Sequence, residues 1–386
     1  MAGPPEIMVD GGRSLLAWLA GMRADSPVWE DENGHFHVFR FDDVHQVIAD
    51  PVAFSSDTLR LAGQDETPPG TLLLLDPPLH GKLRKLVSLV FTHKMITELE
   101  PRIGEVTAEL LDRIDTDDFD LVDTLAYPLP VIVIAELLGV PPADQELFRD
   151  WADVLMSSRP DDEASMKLVC EAVHGVDTYL RDQARARRSN PTDDLIGRLV
   201  AAEVDGDRLT EEEIVNFSAL LLMAGHVTTT MLLGNTMLCL DANPDAAAQL
   251  RADPRLIPKV IEEVLRVRPP FVKVERATTR DVEVGGTVIP ADRAVSLWLL
   301  SANYDERRFP EPDRFDIHRK PNKHTAFGHG IHFCLGAPLA RMEGEIALTA
   351  LFERFSELSV DPSAPAPYYE SGIFGVKQLR VIAKAR

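Results

Sequence analysis

Residues 327–336 read FGHGIHFCLG, a glycine-punctuated turn that carries one thiol, Cys334, and two imidazoles, His329 and His332. The 386-residue chain holds two further cysteines, Cys170 and Cys239, and no CxxC pair. Neither a disulfide framework nor a four-cysteine zinc cage can be assembled from them. H-x-x-H-x-C does gather three metal donors in six residues. A fourth ligand is not evident, however, and the glycines suit a flat cofactor better than a compact ion. A third reading is an inert buried thiol, the usual fate of an isolated cysteine.

Outward from this turn, helical periodicity dominates, around 82–95, 102–114, 131–138, 144–157, 164–187, 211–241, 254–267 and 338–355. Strand patterns are fewer. HFHVFR near the start is one, and VEVGGTVIPADRAVSLWL, where Gly-Gly separates two alternating runs, is hairpin material. The expected fold is mostly α with a minor β-sheet region. Pro-Pro pairs at 68, 77, 141 and 269 fall between periodic segments and read as turns. No Ser/Gly-rich linker, repeat or low-complexity block divides the chain, so a single domain over 1–386 is expected.

The longest helical run, IVNFSALLLMAGHVTTTMLLGNTMLCL at 214–240, has no Asp, Glu, Lys or Arg. Its length would suit a membrane span. Asn216, Ser218, His226, three consecutive threonines, Asn235 and Thr236 would then load hydrocarbon with polar groups. Thr210 followed by Glu213 forms a capping box, and Pro244 lies beyond the far end. A buried helix crossing a large core, roughly 45 Å long, accounts for all of this and could wall an internal cavity.

The net charge of −22 argues against nucleic-acid binding, which needs a basic footprint. MAGPPEIMVDGGRSLL lacks the basic and apolar regions of a secretory signal, so a cytoplasmic, reduced location is expected, with no membrane association. Segments 317–342 and 79–97 contain no acid, whereas uniform scattering of 62 acids over 386 residues would place about 7 in these 45 positions. Arg319, Lys320, Lys323 and Arg341 lie in the first segment; Lys82, Arg84, Lys85 and Lys94 lie in the second.

FGHGIHFCLG resembles the cysteine-ligand loop of the cytochrome P450 haem-thiolate monooxygenases. Three further regions agree in order: Glu263 and Arg266 as the E-x-x-R of IEEVLRVRPP, Arg314 in PDRF, and AGHVTT midway along the long helix. The resemblance covers essentially the whole chain. It implies the P450 fold, with the long helix over a b-type haem whose iron is held by Cys334. A thiolate ligand pushes electron density onto haem iron and favours O–O cleavage. A helix opening near Pro338 would favour an anionic sulfur. Phe327 would shield that sulfur, and Gly328, Gly330 and Gly336 would allow close backbone approach or positive φ.

By the same resemblance His332, His80, Arg84 and Arg276 meet the haem propionates, cations being what two carboxylates require. Glu263, Arg266 and Arg314 match a buried ion network on the cysteine side. Ala224, Gly225 and Thr228 match the oxygen-activating segment of the long helix. Many relatives carry an acid directly before that threonine, and here Val227 stands in its place. His226, two residues from Thr228 and so roughly 200° around the helix, should point away from the site.

The activity implied is insertion of one oxygen atom from O2 into a bulky hydrophobic small molecule, most similar to macrolide and polyketide tailoring in secondary metabolism. Electrons from NAD(P)H would arrive through separate proteins, a ferredoxin reductase and an acidic ferredoxin docking on the cations of the two acid-free segments. The chain ends about 50 residues after Cys334, so no fused reductase domain is expected, and a monomer is. Pocket candidates are Leu72, Leu220, Met223, Val272 and Phe374, because such pockets are largely apolar. Two alternatives belong to other classes: a peroxygenase using hydrogen peroxide directly, motivated by Val227, and a non-catalytic haem protein.

Overall fold

The computed structural model describes residues 3–5, 10–63, 67–157, 162–204, 206–369 and 373–386. Its helices are α1 (Arg13–Asp25), α2 (Phe41–Ala49), α3 (Leu79–Val90), α4 (His93–Leu111), α5 (Pro128–Leu138), α6 (Gln145–Ser157), α7 (Glu163–Ser189), α8 (Leu195–Ala201), α9 (Glu211–Ala242), α10 (Pro244–Ala252), α11 (Ile257–Val267), α12 (Leu299–Asn303) and α13 (Ala337–Arg354). The strands are β1 (Val28–Glu30), β2 (Phe36–Val38), β3 (Phe54–Ser55), β4 (Asp118–Asp120), β5 (Glu203–Val204), β6 (Asp207–Arg208), β7 (Val274–Thr278), β8 (Val282–Val284), β9 (Thr287–Ile289), β10 (Ala294–Leu297), β11 (Phe355–Val360) and β12 (Arg380–Ala385). The chain divides into two compact units. The first takes Met1–Glu66, Thr107–Ala126 and Thr228–Arg386; the second takes Thr67–Val106 and Tyr127–Val227.

In the first unit a five-stranded sheet has the order β1-β2-β10-β7-β3, with β2 antiparallel to β1 and parallel to β10. Phe36, Val38, Val295 and Leu297 of this sheet share a buried cluster with Val44, Val47 and Ile48 of α2. The i, i+3, i+4 spacing of those three puts them on one helix face. Gly285 and Gly286 join β8 to β9 with φ of 56° and 81°, positive at both turn positions as a tight type I′ hairpin demands. A second sheet orders β11-β12-β4. Helix α13 lies close on α11, where a Cβ added at Gly344 would stand 3.1 Å from Ile261 Cδ1.

In the second unit Pro128 opens α5 and Gly139, at φ 78°, closes it. Asp162 caps α7 by accepting from Ala164 N. The capping box expected ahead of α9 is present: Thr210 N donates to Glu213 Oε2 at 2.8 Å and Glu213 N donates to Thr210 Oγ1 at 3.1 Å.

Helix α9 is long and apolar enough to cross a membrane by length and composition, yet 67% of its most apolar window is buried inside the protein. Several of its polar groups are hydrogen-bonded within the protein, although Ser218 Oγ is buried without a hydrogen-bond partner. Thr236 Oγ1 donates to Leu232 O at 2.7 Å, and Asn235 Nδ2 donates to Phe374 O at 2.7 Å. The periodic run at 82–95 is in fact interrupted, because α3 ends at Val90 and α4 restarts at His93. Helices α1, α2, α8, α10 and α12 escaped the periodicity; the last four are short, whereas α1 has 13 residues.

Candidate active site

In the first unit the cysteine turn is shaped by its backbone. Gly328 and Gly330 hold φ of 69° and 67°, conformations that a side chain would strain. Cys334 N donates to Phe327 O at 2.9 Å and Gly328 N donates to Thr325 O at 2.8 Å, which closes the backbone of the turn on itself. Gly336 differs from the expectation of a positive φ. It sits at −81° as the N-cap of α13, which has a proline in its first turn and no acidic residue there. The dipole of α13 therefore begins just past an exposed Cys334 with no carboxylate to compete with a thiolate.

The two imidazoles of the turn are held apart. His332 Nε2 lies 2.8 Å from Ser56 Oγ on the segment after β3. His329 packs on His45 of α2, ring centroids 4.0 Å apart. Among the described residues no group of three His, Cys, Asp or Glu is placed to hold a metal ion. Arg276 of β7 is half-buried and donates from Nη1 to the Glu275 carbonyl at 2.7 Å.

Beneath the turn, Glu263 and Arg266 of α11 form a doubly hydrogen-bonded pair at 2.9 and 2.8 Å with both side chains 0% exposed. Asp316 N and Asn322 Nδ2 complete the carboxylate at 2.9 and 3.1 Å. The second cation of the network is not Arg314. That side chain is 65% exposed and reaches only Glu311, while its carbonyl accepts from Arg266 Nη2 at 3.1 Å. Arg319, 7% exposed, approaches Glu263 at 3.3 Å instead and also donates to the carbonyls of Pro310, Glu311 and Arg314. The expectation for Arg314 is corrected accordingly: the turn presents its backbone to the network and its side chain to solvent.

A second hub joins α11 to the cysteine turn. Glu262 accepts from Arg341 Nε at 2.6 Å and meets His324 Nε2 at 3.2 Å. Burial works to raise its pKa, but hydrogen bonds from His324 and Arg341 outweigh it and hold the carboxyl at about 2. Arg341 in turn lies over the Phe327 ring, 4.4 Å from its centroid. Arg319 and Arg341 are thus committed internally. In the second unit Lys82 pairs with Asp207 at 3.1 Å and Lys94 with Glu98 at 3.7 Å. The acid-free segments do not make acid-free surfaces, because neighbouring elements, and for Lys94 the next turn of its own helix, bring the acids in; Lys320 and Lys323 are exposed.

In the middle of α9 several residues are accessible. Ala224 is exposed, and Leu220, Met223, Gly225 and Thr228 are partly so, whereas Val227 and His226 are buried. Leu220, Ala224 and Thr228 recur every fourth residue, one face of the helix. His226 turns away as expected, bonding through Nδ1 to the Leu222 carbonyl at 2.9 Å, edge-on to Tyr127. Burial lowers its pKa. Three pocket candidates are corrected: Leu72, Val272 and Phe374 are packed in core, Phe374 under the Arg268 guanidinium at 4.7 Å. Gln64–Glu66 and Ser371–Gly372, within two stretches expected to line the pocket, lie outside the described residues. His80 of α3 is buried, with its pKa lowered first by burial and then by Arg84.

Sequence reasoning missed Ser56, Glu262 and Glu343. The last is a carboxyl of α13 that is 2% exposed and hydrogen-bonded to Thr229 of α9. None carried a motif signal.

The thiol turn on a helix N-terminus, the braced α11 network and the long core helix are the features that the P450 resemblance leads one to expect. The chain belongs to the cytochrome P450 family: the family model described as Cytochrome P450 matches residues 159–384. It is 49% identical to cyclomarin C epoxidase CymV of Salinispora arenicola over 99% of both chains. It is 48% identical to erythromycin C-12 hydroxylase of Saccharopolyspora erythraea over 96% of this chain and 94% of that one. The solved structure of ligand-free cytochrome P450 TbtJ1 superimposes with a TM-score of 0.92 at 51% identity, covering 97% of this chain and 98% of the other. The chain is a monooxygenase of this family.

Proposed function

We propose that the protein inserts one oxygen atom into a bulky hydrophobic natural product, by hydroxylation or epoxidation, as a tailoring step in the secondary metabolism of a macrolide or related polyketide. The balance is one substrate, one O2, two electrons and two protons giving oxygenated product and water. The observation that carries the reading is the exposed Cys334 on its positive-φ glycine turn at the start of α13. Relatives of nearly equal identity are named as an epoxidase and a hydroxylase, so overall identity does not choose between the two outcomes.

The residues fit a haem b. Cys334 would hold its iron, and His332, oriented by Ser56, and Arg276 would supply donors for its carboxylates. The haem, when bound, supplies the redox chemistry of oxygen activation. The chain's part is to set the sulfur in the field of α13, to keep Thr228 accessible on α9 as a hydroxyl that positions a proton, and to offer Leu220 and Met223 as apolar contacts. The 386 residues act together as one haem-thiolate domain, monomeric and cytoplasmic. Electrons come from NAD(P)H through a ferredoxin reductase and an acidic ferredoxin that meets Lys320 and Lys323. Charge reversal at both lysines should slow reduction at low salt.

The test is a carbon monoxide difference spectrum of the reduced, haem-loaded protein, followed by turnover with macrolide probes. A long-wavelength Soret band and a mass gain of one oxygen are expected. Absence of that band in folded, loaded protein would overturn the thiolate assignment.

A further inference from the structure

Two adjacent glutamates of α11 serve different parts of the chain. Besides Arg266, Glu263 braces the loop at 316–322 through Arg319, Asn322 and the Asp316 amide. Glu262 reaches the cysteine turn and α13 instead. Its oxygens grip Arg341 side-on, Oε1 to Nε at 2.6 Å and Oε2 to Nη2 at 3.1 Å, and Oε2 also meets His324 Nε2 at 3.2 Å. Burial works against its charge, but the hydrogen bonds from His324 and Arg341 outweigh it and keep the carboxyl ionised.

Both partners lead to Phe327. Arg341 lies over the Phe327 ring at 4.4 Å, a cation on the negative face of the π system. A planar guanidinium stacks on a ring while giving two parallel N–H groups to one carboxylate, which an ammonium cannot do. His324 acts on the backbone: its Nδ1 accepts from Ala326 N at 3.2 Å, one residue ahead of Phe327. That bond fixes the tautomer, since a nitrogen that accepts leaves the proton on Nε2, where it donates to Glu262. The His324 side chain, 3% exposed, also stands beside the Phe327 ring, centroids 6.0 Å apart. The Phe327 carbonyl in turn accepts from Cys334 N at 2.9 Å. One carboxylate thus governs both the ring and the backbone of the residue bonded to the cysteine.

We propose that Glu262 is a positioning residue for the Cys334 thiolate, acting through Arg341 and His324 on Phe327. The inference rests on the monooxygenase reading and names what tunes the sulfur of that site. A thiolate that accepts hydrogen bonds from water is a weaker electron donor, and an aromatic ring fixed on the turn keeps water from it. Loosening Phe327 therefore weakens the sulfur as a donor and favours the reduced state.

The test uses the haem-loaded protein. Glu262→Gln keeps the shape and removes the charge. Its reduction equilibrium should move about tenfold toward the reduced state, about 59 mV for one electron, with the carbon monoxide band displaced to shorter wavelength. Arg341→Leu should shift both in the same direction, and Arg341→Lys less, because lysine restores a charge over the ring without the two-bond grip. In a Phe327→Leu background Glu262→Gln should add no further shift, since its route to the sulfur is gone. An unchanged potential in Glu262→Gln, or a shift that persists undiminished in Phe327→Leu, overturns the proposal and leaves Glu262 a brace. If Glu262→Gln does not load haem, Arg341→Leu and Arg341→Lys, each with and without Phe327→Leu, decide it on the same two outcomes. A wild type without the long-wavelength carbon monoxide band fails the thiolate reading itself; a wild type with the band and variants without the shift fail this proposal alone.

Discussion

The network under the cysteine turn makes a graded prediction. Glu263→Ala removes the carboxylate that two hydrogen bonds tie to Arg266 and leaves a guanidinium at 0% exposure without its counter-charge. The cost of breaking one side of such a pair is about 3–5 kcal/mol. Arg319→Leu removes one bond to Glu263 and three to backbone carbonyls, but Glu263 keeps Arg266, Asn322 and the Asp316 amide. A loss of about 1.5–3 kcal/mol follows, the range for hydrogen bonds to charged groups. Arg314→Leu alters a side chain that is 65% exposed while its carbonyl stays in place, so the change should stay within about 0.5 kcal/mol. The assay is the urea midpoint of each haem-loaded variant, read by circular dichroism and by the carbon monoxide band. The order Glu263→Ala, Arg319→Leu, Arg314→Leu should hold in both. An Arg314→Leu loss equal to or larger than that of Arg319→Leu would refute the assignment of the network.

Cys334→Ser should abolish the thiolate spectrum and oxygen insertion, because a neutral alcohol supplies no comparable electron push; retained turnover would contradict the site. Glu343, whose folded pKa is raised from 4.5 to about 8, contributes stability that is full below about 4.5 and lost as pH rises through about 8. Urea midpoints should therefore fall on the alkaline side in the wild type and fall less in Glu343→Gln. His37 moves the other way. Burial and then the neighbouring His35 lower its pKa from 6.5 to about 4, and its Nδ1 accepts from Trp298 Nε1 at 3.2 Å. Its share of stability is present above 6.5 and lost as pH falls through about 4, so His37→Gln should flatten the acid limb. An unchanged limb would mean that this imidazole titrates freely.

What could be read in the sequence follows from what each pattern encodes. The FGHGIHFCLG turn, the Thr210–Glu213 box and the Gly285–Gly286 hairpin are local devices, in which residue type dictates backbone shape, and all three stand where the residues put them. Arg314 and Arg319 show the limit. Spacing brings both near Glu263, but which side chain turns inward depends on the path of an irregular loop, and a string carries no such direction. Charge segments fail for a related reason: Glu262 and Glu98 lie outside the acid-free runs, yet they pair with Arg341 and Lys94. Glu343, between Met342 and Gly344 on a helix with charged neighbours, reads as a solvated position until α9 and α11 are laid over it.

The accessible residues in the middle of α9 separate two demands that protein sequences usually meet with the same residues. Most of the helix is held by close packing, where a change of one methylene is felt as lost stability. Leu220 and Met223 stand partly outside that constraint. Exchanges there alter what fits against the helix at little cost to folding. A lineage can thus vary that face of the helix while its scaffold stands still.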